Sequence, residues 1–263
     1  MAQTYKDFIL VILNNGGEST VVDELAENFA GVIKVVHSKD TISRAKALNK
    51  AIKVVADTKY IAILDDDDTW HPEFLERMIG HLKTKKMSGV VARADQVFEK
   101  ISGDKIVETK RDRWMADMKV ISLYQQCIDN QLGSGEFVYT RESYEALGGY
   151  DENLNVLEDF EFGIRFLQKY DVDFLDPGFA LANYHRRVTK RGEKSDASFA
   201  DDDHRYNFYK IANRYLRQEL AEGRIGVGYI MSKLKYDQSY MAQVARRLMP
   251  KPVANVLKRR VQD

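Results

Sequence analysis

Between Phe8 and Leu64 the chain alternates short apolar runs with helically spaced apolar stripes, and the last run ends in four consecutive aspartates. Phe8 to Leu13 is an unbroken apolar run stopping at Asn14-Asn15-Gly16-Gly17, the pattern of a buried parallel strand entering a turn. Ser19 or Thr20 opens a helix carrying Val21, Val22, Leu25 and Phe29; Gly31 closes it, and Val32 to Val36 is the next strand. Ile42, Ala45, Leu48, Ala51, Ile52 and Val55 form a second helical stripe before a strand at Tyr60 to Leu64. This β, α, β, α, β order predicts an α/β fold, a mostly parallel sheet flanked by helices.

The third strand, central by its apolar character, delivers Asp65-Asp66-Asp67-Asp68 to its carboxyl end, where open α/β sheets bind ligands. Adjacent like charges repel unless a cation lies among them, and Mg²⁺ or Mn²⁺ prefers carboxylate oxygen. Asp68 or Thr69 is better explained as the N-cap of a helix starting near Pro72 and running to Lys83. Capping needs one carboxylate, which leaves Asp65, Asp66 and Asp67 for chemistry. A short strand at Gly89 to Ala92 and a hairpin from Asp95 to Glu108 follow.

Lys plus Arg balances Asp plus Glu, 40 against 40 in 263 residues, so no global field draws the chain to nucleic acid. Cys127 stands alone, the amino terminus lacks a secretory apolar core, and no apolar run reaches the ~20 residues of a membrane span. These features predict a cytoplasmic protein whose membrane contact would be peripheral. Tyr206 to Tyr236 has a helical pattern. Residues 241–263 hold Arg246, Arg247, Lys251, Lys258, Arg259 and Arg260 against Asp263 alone. That tail is either an interfacial amphipathic segment at the inner face of the membrane or a solvated helix or partner-docking arm. A homo-oligomer is left open.

A second dense group runs Gly148-Gly149-Tyr150-Asp151-Glu152, then Glu158-Asp159-Phe160-Glu161-Phe162 and Arg165. The diglycine suits a positive-φ turn or close backbone approach. A first helical turn enriched in acid for the macrodipole explains Glu158 or Glu161, but not the turn before it.

Residues 61–72 resemble the metal-binding Asp-x-Asp segment of family 2 glycosyltransferases with the GT-A fold, and residues 148–165 resemble that family's Gly-Gly-aromatic-Asp-Glu and Glu-Asp segments. Arg44, Ala45, Leu48, Asn49 and Ile52 resemble the helix before the Asp-x-Asp strand, and the similarity covers about residues 8 to 190. The resemblance implies a GT-A domain at residues 1–195 and a C-terminal helical extension with a basic tail at 196–263. It also implies inverting transfer of a sugar from a nucleotide-diphosphate sugar to a saccharide or lipid-linked hydroxyl, in bacterial surface polysaccharide or glycolipid synthesis.

By the same resemblance, Asp65 and Asp66 face ribose and diphosphate, and Asp67, with Asp65 and His185, holds Mn²⁺ or Mg²⁺. Asp159 is the base that takes the acceptor proton, and Glu158 orients it. Arg44 and Lys46 balance the phosphates or form a solvated helix face, and Asn14 and Asn15 lie near the nucleotide base. Tyr184-His185-Arg186-Arg187 matches a late segment near the diphosphate, where Arg186 and Arg187, with Lys190 and Arg191, would form a lid. Gly133-Ser134-Gly135-Glu136, with Gly148 and Gly149, lines the acceptor side, with turn formation an adequate alternative for Gly133 to Glu136. The strand-helix unit that opens the family domain is expected to be lacking, because only seven residues precede Phe8 and Asn14 lies 51 residues before Asp65.

Asp65-Asp66-Asp67-Asp68-Thr69 also fits the Asp-x-Asp-x-Thr signature of haloacid-dehalogenase-like Mg²⁺ phosphatases, with Asp65 as nucleophile. A third reading is a nucleotide-sugar-binding protein on the GT-A fold without turnover. Gly16-Gly17-Glu18-Ser19 lacks a phosphate-loop lysine, which excludes a P-loop nucleotide triphosphatase.

Overall fold

A computed structural model describes residues 2–29, 31–102, 105–187 and 201–232. The chain folds as two units, 1–207 and 208–263. The first opens with β1 (Leu10–Asn15), α1 (Ser19–Glu27), β2 (Ile33–Ser38), α2 (Arg44–Lys53) and β3 (Tyr60–Ala62). β4 (Thr69–Trp70), α3 (Phe74–Lys85), β5 (Gly89–Ala92), and the hairpin strands β6 (Ala94–Ser102) and β7 (Lys105–Arg113) follow. Then come α4 (Leu123–Gln126), β8 (Phe137–Thr140), α5 (Arg141–Ala146), α6 (Glu158–Leu167), β9 (Val172–Leu175) and β10 (Ala182–Arg187). α7 (Asp201–Ala221) runs through the division between the units.

The strands form three sheets, in the orders β1-β2, β4-β10-β6-β7 and β3-β8-β5-β9. The α/β class stands, but the pairing is mixed rather than mostly parallel. β1–β2, β5–β9 and β6–β10 are parallel, whereas β8 runs antiparallel between β3 and β5, and β4–β10 and β6–β7 are antiparallel. β3 is an edge of its sheet rather than a central strand. Burial concentrates on β5 and β8, where Val90, Val91, Phe137, Val138 and Tyr139 are almost wholly enclosed. One core layer packs Phe162 and Phe166 of α6 on this sheet, and the other packs Phe74, Met78 and Leu82 of α3.

β1 departs from the expected buried strand. Among the described residues it pairs with β2 alone, Ile9 and Leu10 are exposed, and α1 buries none of its residues, leaving Val21 and Leu25 open. α1 also stops at Glu27, and Gly31, at φ +88°, turns the chain into β2.

Asp68 and Thr69 do not cap a helix. Thr69 and Trp70 are taken up by pairing with Asn183 and Ala182 of β10, so the chain runs on through His71 and α3 begins only at Phe74, with no side-chain cap at Glu73. The β6–β7 hairpin is longer than its apolar pattern predicts, and its register shifts between Phe98 and Glu99.

In the second unit the carboxylate of Glu219 on α7 accepts from Gly228 and Tyr229 N–H, capping a helix over 227–232 after the turn at Gly223, φ +66°. The basic segment 241–263 lies outside the described residues.

Candidate active site

Arg44 is the first residue of α2, placed there by Ser43, which is extended and accepts from Lys46 N–H. Positive charge at a helix N-terminus opposes the macrodipole. Carboxylates hold it instead. Arg44 Nη2 donates to both oxygens of Asp65, at 2.7 and 2.8 Å, and Nη1 donates to Glu158 Oε1 at 2.5 Å. Burial works against the guanidinium charge, but Asp65, Glu158 and Asp159 outweigh it and keep Arg44 protonated. One side chain thereby joins the two acidic groups, 21 residues away toward Asp65 and 114 toward Glu158.

Glu158 and Asp159 open α6, and Leu157 before them has a left-handed backbone, φ 64°. A leucine in that region is strained, and such strain gathers at functional sites. Asp159 accepts from Asn130 Nδ2 at 3.0 Å and from Phe160 N–H at 2.7 Å. Asp159 keeps partial exposure, and burial of its carboxyl, then repulsion by Glu158, pushes it up to about 6 against the opposing pull of Arg44. Behind the pair, Arg165 clamps Glu161 with two bonds of 2.9 Å and donates to the carbonyls of Leu147 and Gly149.

Asp68 Oδ1 accepts from His185 N–H at 2.9 Å; burial and the charges of Asp67 and Asp65 lift its carboxyl to about 7. Trp70 stacks on Phe74 at 4.2 Å and donates from Nε1 to Gly135 O at 2.6 Å, fastening the Asp65–Thr69 segment to the turn 133–136. That turn carries Glu136. The residue keeps partial exposure, but its carboxyl is enclosed and raised to about 8 by burial and then by Asp159 and Asp68. Gly133 makes room for it: a Cβ there would lie 2.3 Å from Glu136 Oε1. The hydroxyl of Ser134 is buried with no hydrogen-bond partner.

Acids whose protons are held more tightly folded than unfolded lose stabilisation as pH rises. Asp159, Asp68 and Glu136 contribute fully below the ordinary carboxylate range, and that contribution is lost as pH climbs through about 6, 7 and 8 respectively. Without ligands, the melting temperature should fall steadily from about pH 5 to about pH 8.5, and Glu136→Gln should flatten the upper part of that slope. Thermal melts across the range test this; a temperature that rises with pH contradicts it.

Other predicted residues are placed differently. The Asn14 amide exchanges bonds with the backbone of Gly17 and lies 3.2 Å from His37 Nδ1, and Asn15 exchanges two bonds with the backbone of Ile42. Both amides are spent on holding turns. Lys46 is exposed. Gly148 and Gly149 take φ +76° and +77°, and the buried Asn49 exchanges bonds with the Tyr150 backbone and receives the Tyr144 hydroxyl. They line a groove of about 500 Å³ with Asn49, Arg141 and Glu152, to which neither Asp65 nor Asp159 contributes.

His185 places Nδ1 2.6 Å from Glu99 and Nε2 2.9 Å from the Thr69 hydroxyl, so both ring nitrogens are engaged. Arg186 and Arg187 are successive strand residues and face opposite sides of the sheet. Arg187 lies toward Glu99 at 3.7 Å, and Arg186 over the rings of Phe98 and Tyr184. Lys190 and Arg191 lie outside the described residues.

No cluster of three or more His, Cys, Asp or Glu side chains among the described residues is arranged to hold an ion by itself. The donor chemistry nevertheless suits a hard cation that takes one or two carboxylates and completes its shell with phosphate and water. Burial, and then the charges of Asp67 and Asp65, disfavours ionisation of Asp68.

The family model described as Glycosyl transferase family 2 matches residues 1–148. The chain belongs to glycosyltransferase family 2. Among relatives of this family 2 protein, the amylovoran biosynthesis glycosyltransferase AmsB of Erwinia amylovora is 26% identical over 204 residues, covering 73% of this chain and 64% of that protein. The bifunctional glycosyltransferase pgtA of Dictyostelium discoideum is 25% identical over 111 residues, 40% of this chain and 14% of that protein. S. aureus TarS 1-349 in complex with UDP-GlcNAc superposes with a TM-score of 0.57 at 14% identity, covering 80% of this chain and 58% of that one. Its complex with UDP gives 0.55 at 15% identity, covering 80% and 56%. That likeness shows the GT-A fold. The family 2 chain spans less than two thirds of the length of these relatives.

Asn130 and the anchoring role of Trp70 are what the motif reading missed. Glu136 lay in the Gly133-Ser134-Gly135-Glu136 turn assigned to the acceptor side, but its enclosed carboxyl was not visible in the sequence.

Proposed function

We propose that this family 2 chain transfers a sugar, with inversion, from a nucleotide-diphosphate sugar to a hydroxyl of a saccharide or lipid-linked acceptor. The single observation that carries the reading is Arg44, whose guanidinium grips Asp65 on one side and Glu158 on the other, with Asp159 beside them. The strand-end aspartates and the head of α6 thus border one charged centre.

Asp159 is ionised near neutral pH, since its carboxyl is raised only to about 6. It accepts the proton of the acceptor hydroxyl as that oxygen bonds to the anomeric carbon. The bond from that carbon to the diphosphate oxygen breaks, and the nucleotide diphosphate leaves with the electron pair. Glu158, tied to Arg44, repels charge on Asp159 and so keeps it basic. Glu136 is protonated at neutral pH and offers a neutral donor to a sugar hydroxyl, while Asn14 and Asn15 shape the donor side through backbone. Asp67, with the lone pairs Asp65 keeps free of Arg44, would hold Mn²⁺ or Mg²⁺, which supplies Lewis-acid neutralisation of the departing diphosphate.

A role in bacterial surface polysaccharide synthesis is supported by the name of AmsB, and a uridine donor by the UDP and UDP-GlcNAc complexes of TarS. Among the described residues no helix is long and apolar enough to cross a membrane. The phosphatase reading is not carried forward, because both oxygens of Asp65, its required nucleophile, accept from Arg44.

Thermal-shift measurements with UDP, GDP, ADP and their sugars, with and without Mn²⁺, test donor binding. One nucleotide should raise the melting temperature more with Mn²⁺ than without it, and Asp67→Ala should remove the metal-dependent increment. Equal shifts in wild type and variant would overturn the role of Asp67. Incorporation of labelled sugar into a polyprenyl-phosphate-linked or polysaccharide acceptor then separates transfer from binding alone.

A further inference from the structure

Asp159, the proposed base, sits at the end of a chain of amides whose direction is fixed at the far end by backbone. Gln126, the last residue of α4, is wholly buried beside α6. Its Oε1 accepts from the N–H groups of Gln131 and Leu132 at 2.7 and 3.2 Å, and a main-chain N–H can only donate. The amino group of Gln126 therefore points the other way, where it donates to Asn130 Oδ1 at 2.8 Å and to Phe160 O at 3.3 Å. Leu132 N–H also donates to that Asn130 oxygen, at 3.3 Å. With its oxygen claimed from two sides, Asn130 has only its amino group left for Asp159, and Nδ2 meets Oδ2 at 3.0 Å. Gly163 clears the space for this chain. A Cβ there would stand 2.5 Å from Gln126 Nε2, so α6 carries a helix-weakening residue where the amide passes.

We propose that Asn130 is a positioning residue for sugar transfer: backed by Gln126, it can only donate to Asp159, and so holds that carboxylate ionised and in one orientation for the acceptor hydroxyl. The inference rests on the reading of Asp159 as the base. A donor facing a carboxyl oxygen favours the charged form. Oδ1 is fixed in turn by Phe160 N–H at 2.7 Å, so the side chain is pinned through both oxygens. The titratable groups about Asp159 are Glu158 on its own helix, Arg44 of α2, Asp65 beyond β3, Glu136 before β8 and the Tyr150 hydroxyl. These act on its charge through space, whereas Asn130 and Phe160 supply its hydrogen bonds.

Carboxyl-carbon NMR of the ligand-free full chain, made with isotope-labelled aspartate, reads the proton directly; the Asp159 signal is the one missing from Asp159→Asn. Asn130→Ala should move its titration up from about 6 by about one pH unit, while the other aspartates titrate as in wild type. Asn130→Asp keeps the shape and still accepts from Gln126 and Leu132 N–H, but sets two acids oxygen to oxygen and should move the titration further. Both variants should fold, because Asn130 is half-buried and Gln126 retains Phe160 O. In transfer from whichever of the UDP-, GDP- and ADP-sugars raises the melting temperature, the acidic limb of the rate should shift with the NMR titration. On the plateau kcat should fall about tenfold, with KM for the donor within a few-fold of wild type. In the Asp159→Asn background Asn130→Ala should lower the rate no further, since it acts through the carboxylate. An unmoved Asp159 titration in Asn130→Ala, or an undiminished loss from it when Asp159 is already Asn, overturns the proposal. A shifted titration beside an Asp159→Asn enzyme that transfers at the wild-type rate keeps the hold of Asn130 on Asp159 and overturns the reading of Asp159 as the base.

Discussion

Asp159→Asn should lower the turnover rate of sugar transfer by about 10²–10⁴-fold while leaving donor affinity within a few-fold of wild type. The amide keeps the shape of the side chain and one oxygen to accept from Phe160 N–H, so the opening of α6 survives while the bond from Asn130, made to the other oxygen, is lost. It cannot take a proton. Steady-state kinetics on a soluble acceptor, paired with calorimetric titration of the donor nucleotide, separates the two effects. The wild-type rate should rise as pH climbs through about 6, where Asp159 loses its proton. Transfer by the variant at near-wild-type rate would remove Asp159 from the chemistry.

Arg44→Met should have the second large effect, on folding as well as on donor binding. It strips the guanidinium from Glu158, whose side chain is only 4% exposed, and leaves that carboxylate beside Asp159 without the charge that bridged it to Asp65. Removing one member of a buried pair costs ~3–5 kcal/mol, and the partial exposure of Arg44 and Asp65 puts this case at about 2–3 kcal/mol. The melting temperature should drop by roughly 5–10 °C. Adding Glu158→Gln should restore most of that loss without restoring donor binding, because the uncompensated charge is gone but the guanidinium is still missing. If Arg44→Met alone melts like wild type, the bridge contributes nothing to the fold.

Much of the scaffold was legible in the order of residues. β5 begins and ends where its apolar run does, and the Gly148-Gly149 pair takes the positive φ that its composition invites. Each follows from interactions between residues near in the chain. The expected cap at Asp68 or Thr69 failed because a partner from β10, more than a hundred residues on, competed for that segment and won it. The exposure of β1 and α1 was equally invisible, since an apolar run does not say whether a neighbouring strand exists to cover it.

The sequence by itself determined that two acidic groups, at Asp65–Asp68 and at Glu158–Asp159, stand at the ends of regular elements in a family 2 chain. Local periodicity and turn chemistry suffice for that. Only the tertiary structure decided that Arg44 joins them, that Glu136 enters the same charged centre, and that Asn14, Asn15 and both nitrogens of His185 are already engaged. Charge compensation and hydrogen-bond satisfaction act through space. Which carboxylate meets which cation is settled by the packing of α2, α6 and β10, not by distance along the chain.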